Sequence, residues 1–241
     1  VALACGDDAP ALSDAAAASL ELFHCASLVH DDLPCFDDAD TRRGQPTVQR
    51  AFGEPLALLS GDGLIVLAFH HLAWHAVEHP ERLIALTDIF GRAVGLAHGI
   101  VAGQAWECES DVDLTAYHRE KTAALFVAAT EAGAAAAGHP HVDWSGFGEH
   151  LGLAYQVADD LRDVASDAEE IGKPVRQDST HDRPSAVSQL GLDGALARLE
   201  ELSQATIAAI PDCPGADGLR ALVGKEIARL MPPALVSRQA Q

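Results

Sequence analysis

Aspartates grouped in two short segments are the residues of this chain whose types and spacing could carry chemistry. The first segment, LVHDDLPCFDDADTRRGQPT, holds five aspartates within ten residues, and Arg42 and Arg43 follow them directly. The second segment, YQVADDLRD, holds three more. Asp159 and Asp163 are four residues apart, so on a helix both carboxylates project from one face, about one turn apart. Burying such like charges without a partner would be costly, which predicts a cation between them.

The kind of cation follows from the kind of ligand. Carboxylates without histidine or cysteine suit a hard ion, Mg²⁺ or alternatively Mn²⁺. Magnesium usually binds a couple of carboxylates and completes its shell with water and phosphate oxygens, which indicates a phosphorylated ligand. Arg42 and Arg43 would grip the same phosphates with a bidentate geometry that lysine lacks. The alternative for either segment alone is an acidic helix end exposed to water; the occurrence of two segments, one followed by paired arginines, favours the metal site.

Composition restricts the class of protein. The 241 residues are 48% hydrophobic, enough for one large domain with a substantial core. A net charge of −20 repels nucleic acid and anionic lipid, so we expect neither as a partner. Five scattered cysteines without a CxxC pair argue against a disulfide framework or a zinc site and predict a reducing cytoplasm. We expect no membrane span, because Gly-Asp-Gly interrupts the apolar stretch LALLSGDGLIVLAF.

Helical periodicity dominates the chain. Alanine-rich stretches favour helix, and no segment shows the sustained apolar–polar alternation of a strand. We therefore predict an all-α fold in a single domain spanning residues 1–241, with helix ends where glycine, proline and aspartate cluster. The predicted helices are Leu12–Asp38, Pro55–Val77, Glu81–Glu109, Leu114–Ala137, Asp143–Ser166, Gly194–Ile210 and Ala216–Leu230.

Together, the two aspartate segments resemble the paired aspartate-rich motifs of the trans-isoprenyl diphosphate synthases. The likeness continues through FGEPLALLSGDGLI, GQAWECE, YHREKTAALF and GKPVRQD, and it is greatest to geranylgeranyl diphosphate synthases of the bacterial carotenoid type. The resemblance implies the isoprenoid synthase fold, an antiparallel helix bundle around a central cavity, working as a homodimer. It also implies that an N-terminal helix or helices, with a Gly-Lys-Arg segment that binds isopentenyl diphosphate, would precede Val1 and are lacking here.

The resemblance assigns roles to individual residues. Three Mg²⁺ ions would bind the allylic diphosphate, and their ligands would be Asp31, Asp37, Asp159 and Asp163. Contacts to the allylic substrate or its diphosphate match Arg42, Lys121, Thr122, Gln156 and Lys173, and the isopentenyl diphosphate site matches His24 and Arg43. The residues expected to act in catalysis are Asp31, Asp32, Asp37, Asp159, Asp160, Asp163 and Lys121.

The reaction implied by the resemblance begins with ionisation of an allylic diphosphate, which is dimethylallyl, geranyl or farnesyl diphosphate. Metal and basic residues stabilise the departing charge; isopentenyl diphosphate then attacks the carbocation, and a proton is lost to the diphosphate. The spacing agrees. His24 lies two turns before Asp31 on the same helix face, and Gln156 lies three residues before Asp159.

Product length in this family depends on side chains about one turn below the metal, where four residues span ~6 Å. Here those positions are Ala26 and Ser27, and their small side chains favour a C20 product over a C15 product. Phe23, eight residues before Asp31, is a candidate for the floor of the chain site, and so is Leu59 on the next helix. The alternative is that Ala26 and Ser27 are ordinary packing residues.

Three positions depart from the family pattern. Glu107 replaces an aspartate of the GQ motif, Gln177 stands where a lysine is common, and Arg162 places a positive charge inside the second aspartate motif. Three other functions stay open: a farnesyl diphosphate synthase, a non-catalytic subunit that modulates a partner synthase, and a terpene cyclase. Cyclases usually lack the RRG arginines and the KT pair present here.

Overall fold

The fold is built from helices. The structure, a computed structural model, describes residues 1–106, 108–109, 114–169 and 185–230. In these residues a π-helical turn spans Arg119–Ala123 and a 3-10 turn spans Val142–Trp144. The α-helices are α1 (Ala2–Cys5), α2 (Pro10–Asp31), α3 (Val48–Phe52), α4 (Glu54–His75), α5 (Pro80–Ala93), α6 (Ile100–Trp106), α7 (Leu114–His118), α8 (Ala124–Ala136), α9 (Ser145–Glu169), α10 (Ala186–Ala208) and α11 (Ala216–Leu230).

Helix α2 lies at the centre of the packing. It contacts α4 on one side and α8 on another, α8 also contacts α5 and α9, and α9 contacts α10. The largest apolar cluster lies between α2, α4, α5 and α8 and includes the buried rings of Phe23 and Phe90. Smaller clusters join α9 to α10 and join α11 to the ends of α1 and α8. The all-α prediction is confirmed; the extent of a single domain over residues 1–241 stays a prediction.

Helix α2 ends at Asp31, seven residues earlier than predicted. Residues 32–37 form turns instead, and Pro34 gives the reason, because proline lacks the N–H that a continuing helix needs and its ring clashes with the preceding turn. The change matters for the first aspartate segment. Asp31 closes the helix, and Asp37 and Asp38 lie in the following loop rather than on a helical face.

Two other predicted helices are interrupted. The prediction over Glu81–Glu109 was wrong in its middle, where bends at residues 94–99 separate α5 from α6 and Gly99 has a φ of 93°. The prediction over Leu114–Ala137 missed the π turn in its interior. Helix α10 begins at Ala186, before the predicted start, because Ser185 and Ser188 form a capping box there. A kink at Gly191 (φ 71°) interrupts α10, which explains why the sequence predicted a helix only from Gly194 onward.

A two-stranded hairpin follows the first aspartate segment, and the sequence analysis did not anticipate it. Strand β1 (Thr41–Arg42) pairs antiparallel with β2 (Gln45–Pro46). The two turn residues, Arg43 and Gly44, have φ values of 52° and 75°, the left-handed pair that a tight hairpin turn requires. The hairpin turns Arg42 back toward the end of α2.

Helix α4 is long and apolar enough to cross a bilayer by length and composition, with a mean hydropathy of 1.6 over its most apolar window. Only 22% of that window is buried against the rest of the chain. The sequence analysis expected no such segment, because it counted only uninterrupted apolar runs, whereas Asp62 is the one Asp, Glu, Lys or Arg between Leu56 and His75. One face of α4 packs on α2, and the opposite face is exposed.

Candidate active site

The first aspartate segment forms a tight ionic group at the end of α2. The Asp32 side chain is 5% exposed, and one of its oxygens accepts from Arg42 Nε at 2.8 Å and lies 2.7 Å from Arg42 Nη2. The same Nη2 lies 3.4 Å from Asp31 Oδ2. Hydrogen bonding to Asp32, together with the charges of Asp32, Asp31 and Asp37, raises the pKa of Arg42. Arg42 was predicted to contact diphosphate, and in the structure it also holds these two carboxylates in place.

Backbone and amide hydrogen bonds fix the loop that carries Asp37. The Asp37 backbone N–H donates to the Asp31 carbonyl at 3.0 Å, which returns Asp37 to the end of the helix. Buried Gln49 donates from Nε2 to the Asp32 carbonyl at 2.7 Å and to the Ala39 carbonyl at 3.2 Å. Buried Thr47 donates to the same Ala39 carbonyl at 2.7 Å. The sequence analysis missed Thr47 and Gln49, because short polar residues after a turn are usually exposed.

Lys121 extends from the π turn toward the first segment. Its Nζ lies 4.0 Å from Asp31 Oδ1 and 5.8 Å from the centre of the Tyr117 ring. Helix α6 packs directly on this turn, because Gly103 has no side chain: a Cβ there would lie 2.5 Å from Lys121 Cα. Glu120 accepts from the Gly99 backbone N–H at 2.5 Å, which ties the turn to the bend before α6. Lys121 therefore lies beside Asp31, and its role in the site stays a prediction.

The second aspartate segment lies on α9. Asp159 is half exposed, and its Oδ1 is 3.0 Å from Nη2 of Arg162, one turn along the helix. The Arg162 guanidinium lies 5.6 Å from the Tyr155 ring centre, a cation–π contact. Arg162, noted above as a departure, thus forms an ion pair with a predicted metal ligand. Among the other predicted site residues, the Asp163 side chain and all of Lys173 lie outside the described residues, as do Glu107 and Gln177.

Asp160 is buried, unlike Asp159, and it belongs to a hydrogen-bonded chain. Its Oδ1 accepts from Gln156 Nε2 at 2.9 Å, and Gln156 Oε1 accepts from Thr122 Oγ1 at 2.8 Å. His118, the last residue of α7, is also buried, and the charge of Asp160 acts on its pKa. Burial lowers the pKa of His118, Asp160 opposes that change, and Lys121 adds to it. The structure therefore brings together Thr122 and Gln156, two of the residues predicted to contact the allylic substrate, and that role stays a prediction.

His24 and Arg43 were predicted to bind isopentenyl diphosphate. His24 is half-buried on α2, and Arg43 is exposed at the hairpin turn. The positive charge of Arg43 acts on the thiol of Cys25, the residue that follows His24 in α2. Burial raises the pKa of Cys25, and Arg43 lowers it in part. Positive charge at this edge of α2 is what an anionic substrate would need.

Two of the three residues predicted to set product length lie in the interior, and Ser27 is half-buried. Phe23 and Ala26 are each 1% exposed, and the Ser27 hydroxyl donates to the His24 carbonyl at 2.8 Å. Phe23 contacts two rings that the sequence analysis did not name. These rings are Phe69 of α4, with ring centres 4.9 Å apart and an edge-on arrangement, and Phe90 of α5, at 5.4 Å.

Leu59 does not fit the predicted floor position. Its side chain is on the exposed face of α4, 63% exposed, and so it points away from α2. The helical period explains the error: ten residues, nearly three turns, separate Leu59 from Phe69, and only Phe69 lies on the face that meets Phe23.

The carboxylates fit a hard divalent ion in their chemistry. Asp31, Asp37 and Asp159 offer oxygen donors and no competing sulfur or imidazole, the set that Mg²⁺ takes. Within the side chains that the structure describes, which leave out Asp163, no group of three or more His, Cys, Asp or Glu residues is close enough to hold a metal ion. The ligand assignments therefore remain predictions. Contacts from the π turn reach both segments, from Lys121 to Asp31 and from Thr122 to Gln156.

Comparisons with known proteins bear on the family and on the fold. The polyprenyl synthetase family model matches residues 1–209. A geranylgeranyl diphosphate synthase of Cereibacter sphaeroides is 54% identical over 238 residues, which cover 99% of this chain and 83% of that protein. Among solved structures, an FPP/GFPP synthase from Zymomonas mobilis matches with a TM-score of 0.79 and 30% identity, covering 94% of this chain and 79% of that one.

A second solved structure bears on the ligand. The geranyltransferase of Helicobacter pylori, complexed with magnesium and isoprenyl diphosphate, matches with a TM-score of 0.72 and 31% identity over 90% of this chain and 72% of that one. The family is magnesium-dependent. From these matches and the helical fold, the chain belongs to the polyprenyl synthetase family and is an isoprenyl diphosphate synthase.

Proposed function

We propose that this enzyme condenses isopentenyl diphosphate with an allylic diphosphate and that its product is geranylgeranyl diphosphate, C20. One observation carries the proposal. In the π turn, Lys121 lies beside Asp31 of the first segment, and the adjacent Thr122 bonds to Gln156 of the second. A single turn thus joins both acidic segments around one position, where a diphosphate and its cations would sit.

The side chains divide the work of the first step. When the allylic C–O bond breaks, its electron pair leaves with the diphosphate, and Arg42 and Lys121 lie where they would stabilise that charge. Bound Mg²⁺, three ions in our proposal, would supply further neutralisation of the diphosphate. Asp31, Asp37, Asp159 and Asp163 are the residues proposed to hold the ions.

The second step is the attack by isopentenyl diphosphate, which would bind beside the part of α2 that carries His24. His24 and Arg43 are proposed to hold isopentenyl diphosphate, whose double bond attacks the allylic carbocation and forms the new C–C bond. The released diphosphate takes the proton that is lost, which restores a double bond in the longer product. The departing anion serves as the base, so this scheme assigns no side chain to that role.

A three-ring cluster supports the C20 assignment. Phe23 precedes Asp31 by eight residues, a rise of about 12 Å along α2, and Phe69 and Phe90 back it from two other helices. Between the aspartates and the rings, α2 presents the small side chains of Ala26 and Ser27. We therefore place the end of the product at the Phe23 ring rather than nearer the metal.

The exposed stripe of α4 supports a homodimer. Leu56, Leu59, Val66 and Trp74 are between 54% and 71% exposed and follow helical spacing along one face. Gly63 lies within this stripe and has open space where a side chain would be, so a second helix could approach closely. We propose a second copy of the chain as the partner. Asp62 and three histidines on α4 are costly in hydrocarbon and favour a protein partner over lipid.

Light scattering after size exclusion tests the dimer. Wild-type protein is expected at twice the chain mass and Val66→Asp at the monomer mass, since a buried charge would disrupt the stripe. Val142→Asp is the matched control, because Val142 is as exposed but belongs to the 3-10 turn, which packs on α8 and α9. A monomeric wild type, or wild type that floats with phospholipid vesicles, would contradict the assignment.

We also propose a cytoplasmic location. All five cysteines are free, including Cys5 and Cys213, which are close enough to hydrogen bond. Free thiols at that distance are expected to persist only in a reducing compartment. Fractionation of the source cells tests this directly, and recovery with a periplasmic or membrane fraction would contradict it.

Product analysis tests the reaction. Full-length protein is incubated with Mg²⁺, isopentenyl diphosphate and either farnesyl or geranyl diphosphate, and a C20 diphosphate is expected from both. Extension of geranyl diphosphate to C15 without further growth would indicate a farnesyl diphosphate synthase. A cyclic hydrocarbon would indicate a terpene cyclase, and absence of turnover a non-catalytic subunit. Ala26→Phe is expected to shorten the product, and an unchanged product would place the floor elsewhere.

A further inference from the structure

The two aspartates of each Asp-Asp pair face different environments. In the first pair the Asp31 side chain is 18% exposed and that of Asp32 is 5%. In the second pair the Asp159 side chain is 48% exposed, whereas Asp160 is a buried residue. Neighbours that look alike in the sequence are therefore not equivalent in the fold, and the role of the second aspartate has to be read from its own contacts.

Both carboxylate oxygens of Asp160 accept hydrogen bonds from within the protein. Oδ1 accepts from Gln156 Nε2 at 2.9 Å, and Oδ2 accepts from the backbone N–H of Ala186 at 2.7 Å. Ala186 is the first residue of α10, so the carboxylate accepts from a backbone N–H of the first turn, which has no partner within the helix. Charge-assisted hydrogen bonds in a buried position are strong and hold their partners in one geometry.

The chain of bonds continues to the π turn. Gln156 accepts at Oε1 from the Thr122 hydroxyl at 2.8 Å while its amide nitrogen donates to Asp160. Because both ends of the Gln156 amide are hydrogen bonded, the amide cannot rotate without breaking one of these bonds. The second N–H of Nε2 therefore points in a fixed direction. Thr122 follows Lys121, which lies beside Asp31. The chain therefore runs from α10 through α9 to the diphosphate position.

We propose that Asp160 is a positioning residue: it holds the start of α10 and orients Gln156, and through Gln156 the Thr122 hydroxyl, for contact with the allylic diphosphate. In this pair of aspartates, the metal ligand is the neighbouring residue Asp159 and not Asp160. The inference rests on the proposed function, because the substrate contacts of Gln156 and Thr122 are part of it. It assigns different roles to two adjacent aspartates that a motif would treat alike.

Kinetics of Asp160→Asn and Asp159→Asn separate the two roles. Asparagine keeps the shape but presents an N–H to one of the two donors, so one bond of Asp160 is lost. With farnesyl diphosphate as the varied substrate, Asp160→Asn is expected to raise KM by about tenfold, a typical effect of losing one hydrogen bond to a charged group. Its half-saturating Mg²⁺ concentration should match the wild type, whereas Asp159→Asn should raise that concentration.

A double-mutant cycle tests the connection to Thr122, which does not touch Asp160. If one chain of bonds links them, the KM increases of Thr122→Val and Asp160→Asn combine to less than their product. A KM increase in the double variant equal to the product of the two single increases would overturn the inference. So would an Asp160→Asn variant whose half-saturating Mg²⁺ concentration rises as that of Asp159→Asn does.

Gln156→Met provides a second route if Asp160→Asn fails to fold by circular dichroism. It breaks the chain but leaves the bond from Ala186 to Asp160 intact, and it should reproduce the rise in KM; an unchanged KM would again overturn the inference. A wild type that does not extend farnesyl diphosphate would instead refute the proposed function. The two failures are therefore distinguishable.

Discussion

The two acidic segments differ in how firmly the protein holds them. At the end of α2, the buried Asp32 side chain pairs with the partly buried Arg42, and buried Gln49 and Thr47 fix the loop that follows. On α9, Asp159 is half exposed and pairs with Arg162 in an ion pair of the kind found on helix surfaces. The first segment is therefore a preformed structure, and the second combines a fixed residue, Asp160, with an exposed one. The difference predicts which substitutions change stability and which change only ligand binding.

The largest expected difference is in stability. Asp32→Ala leaves the partly buried Arg42 without its main partner, and we expect it to lower the free energy of unfolding by about 2–3 kcal/mol. Asp159→Ala removes a surface pair and should change that free energy by less than about 0.5 kcal/mol. Urea unfolding followed by circular dichroism measures both. Equal losses would mean that the two segments are held alike.

The connection between the segments is the next target. Gly103→Ala places a methyl group 2.5 Å from the Lys121 backbone, so α6 or the π turn must shift and Lys121 must move relative to Asp31. We expect turnover to fall by roughly tenfold to a hundredfold, because misplacing a catalytic group by about 1 Å has effects of that size. Gly146→Ala in α9 is the matched control, since its added methyl group meets open space. Equal activity of the two variants would show that Lys121 does not depend on this packing.

A pH effect is expected from the buried His118. Burial lowers the pKa of His118 in the folded state, so below its ordinary pKa the unfolded chain takes up a proton that the folded chain resists. Stability from this group is therefore present above the ordinary pKa and is lost as pH falls through the lower, folded value. Tm should fall as the pH drops below the ordinary histidine pKa of about 6.5, and His118→Gln should flatten that decline. An identical pH profile in the variant would contradict the assignment.

The smallest expected effect is on metal affinity. Arg162 and an incoming Mg²⁺ would share the Asp159 carboxylate, so Arg162→Gln should lower the half-saturating Mg²⁺ concentration by about twofold, the scale of a surface ion pair. Thermal stabilisation by Mg²⁺ with inorganic diphosphate gives the measurement without turnover. Arg198→Gln is the control, because it removes an i,i+3 pair on α10 instead. A higher Mg²⁺ requirement in Arg162→Gln would mean that Arg162 helps to bind the ligand.

The sequence was sufficient for the fold class and for the two segments, because helix periodicity and charged clusters are local signals. It could not distinguish Asp159 from Asp160, or Phe69 from Leu59. Those distinctions depend on which face of a helix meets a neighbour, and that is set by packing between residues distant in sequence. Thr47 and Gln49 were missed because polar residues after a turn are usually exposed, whereas these two bond to the carbonyls of Ala39 and Asp32. The Arg43–Gly44 hairpin turn was missed although its glycine is a local signal. Pro34, in contrast, was a local signal that should have ended the first predicted helix at Asp31.

Binding of inorganic diphosphate measured by titration calorimetry tests the central claim, that the two segments form one cation-dependent diphosphate site. The account predicts binding in the presence of Mg²⁺, none in its absence, and loss of binding in Asp31→Asn and in Asp159→Asn taken singly. Binding that survives either substitution, or that needs no Mg²⁺, would contradict it.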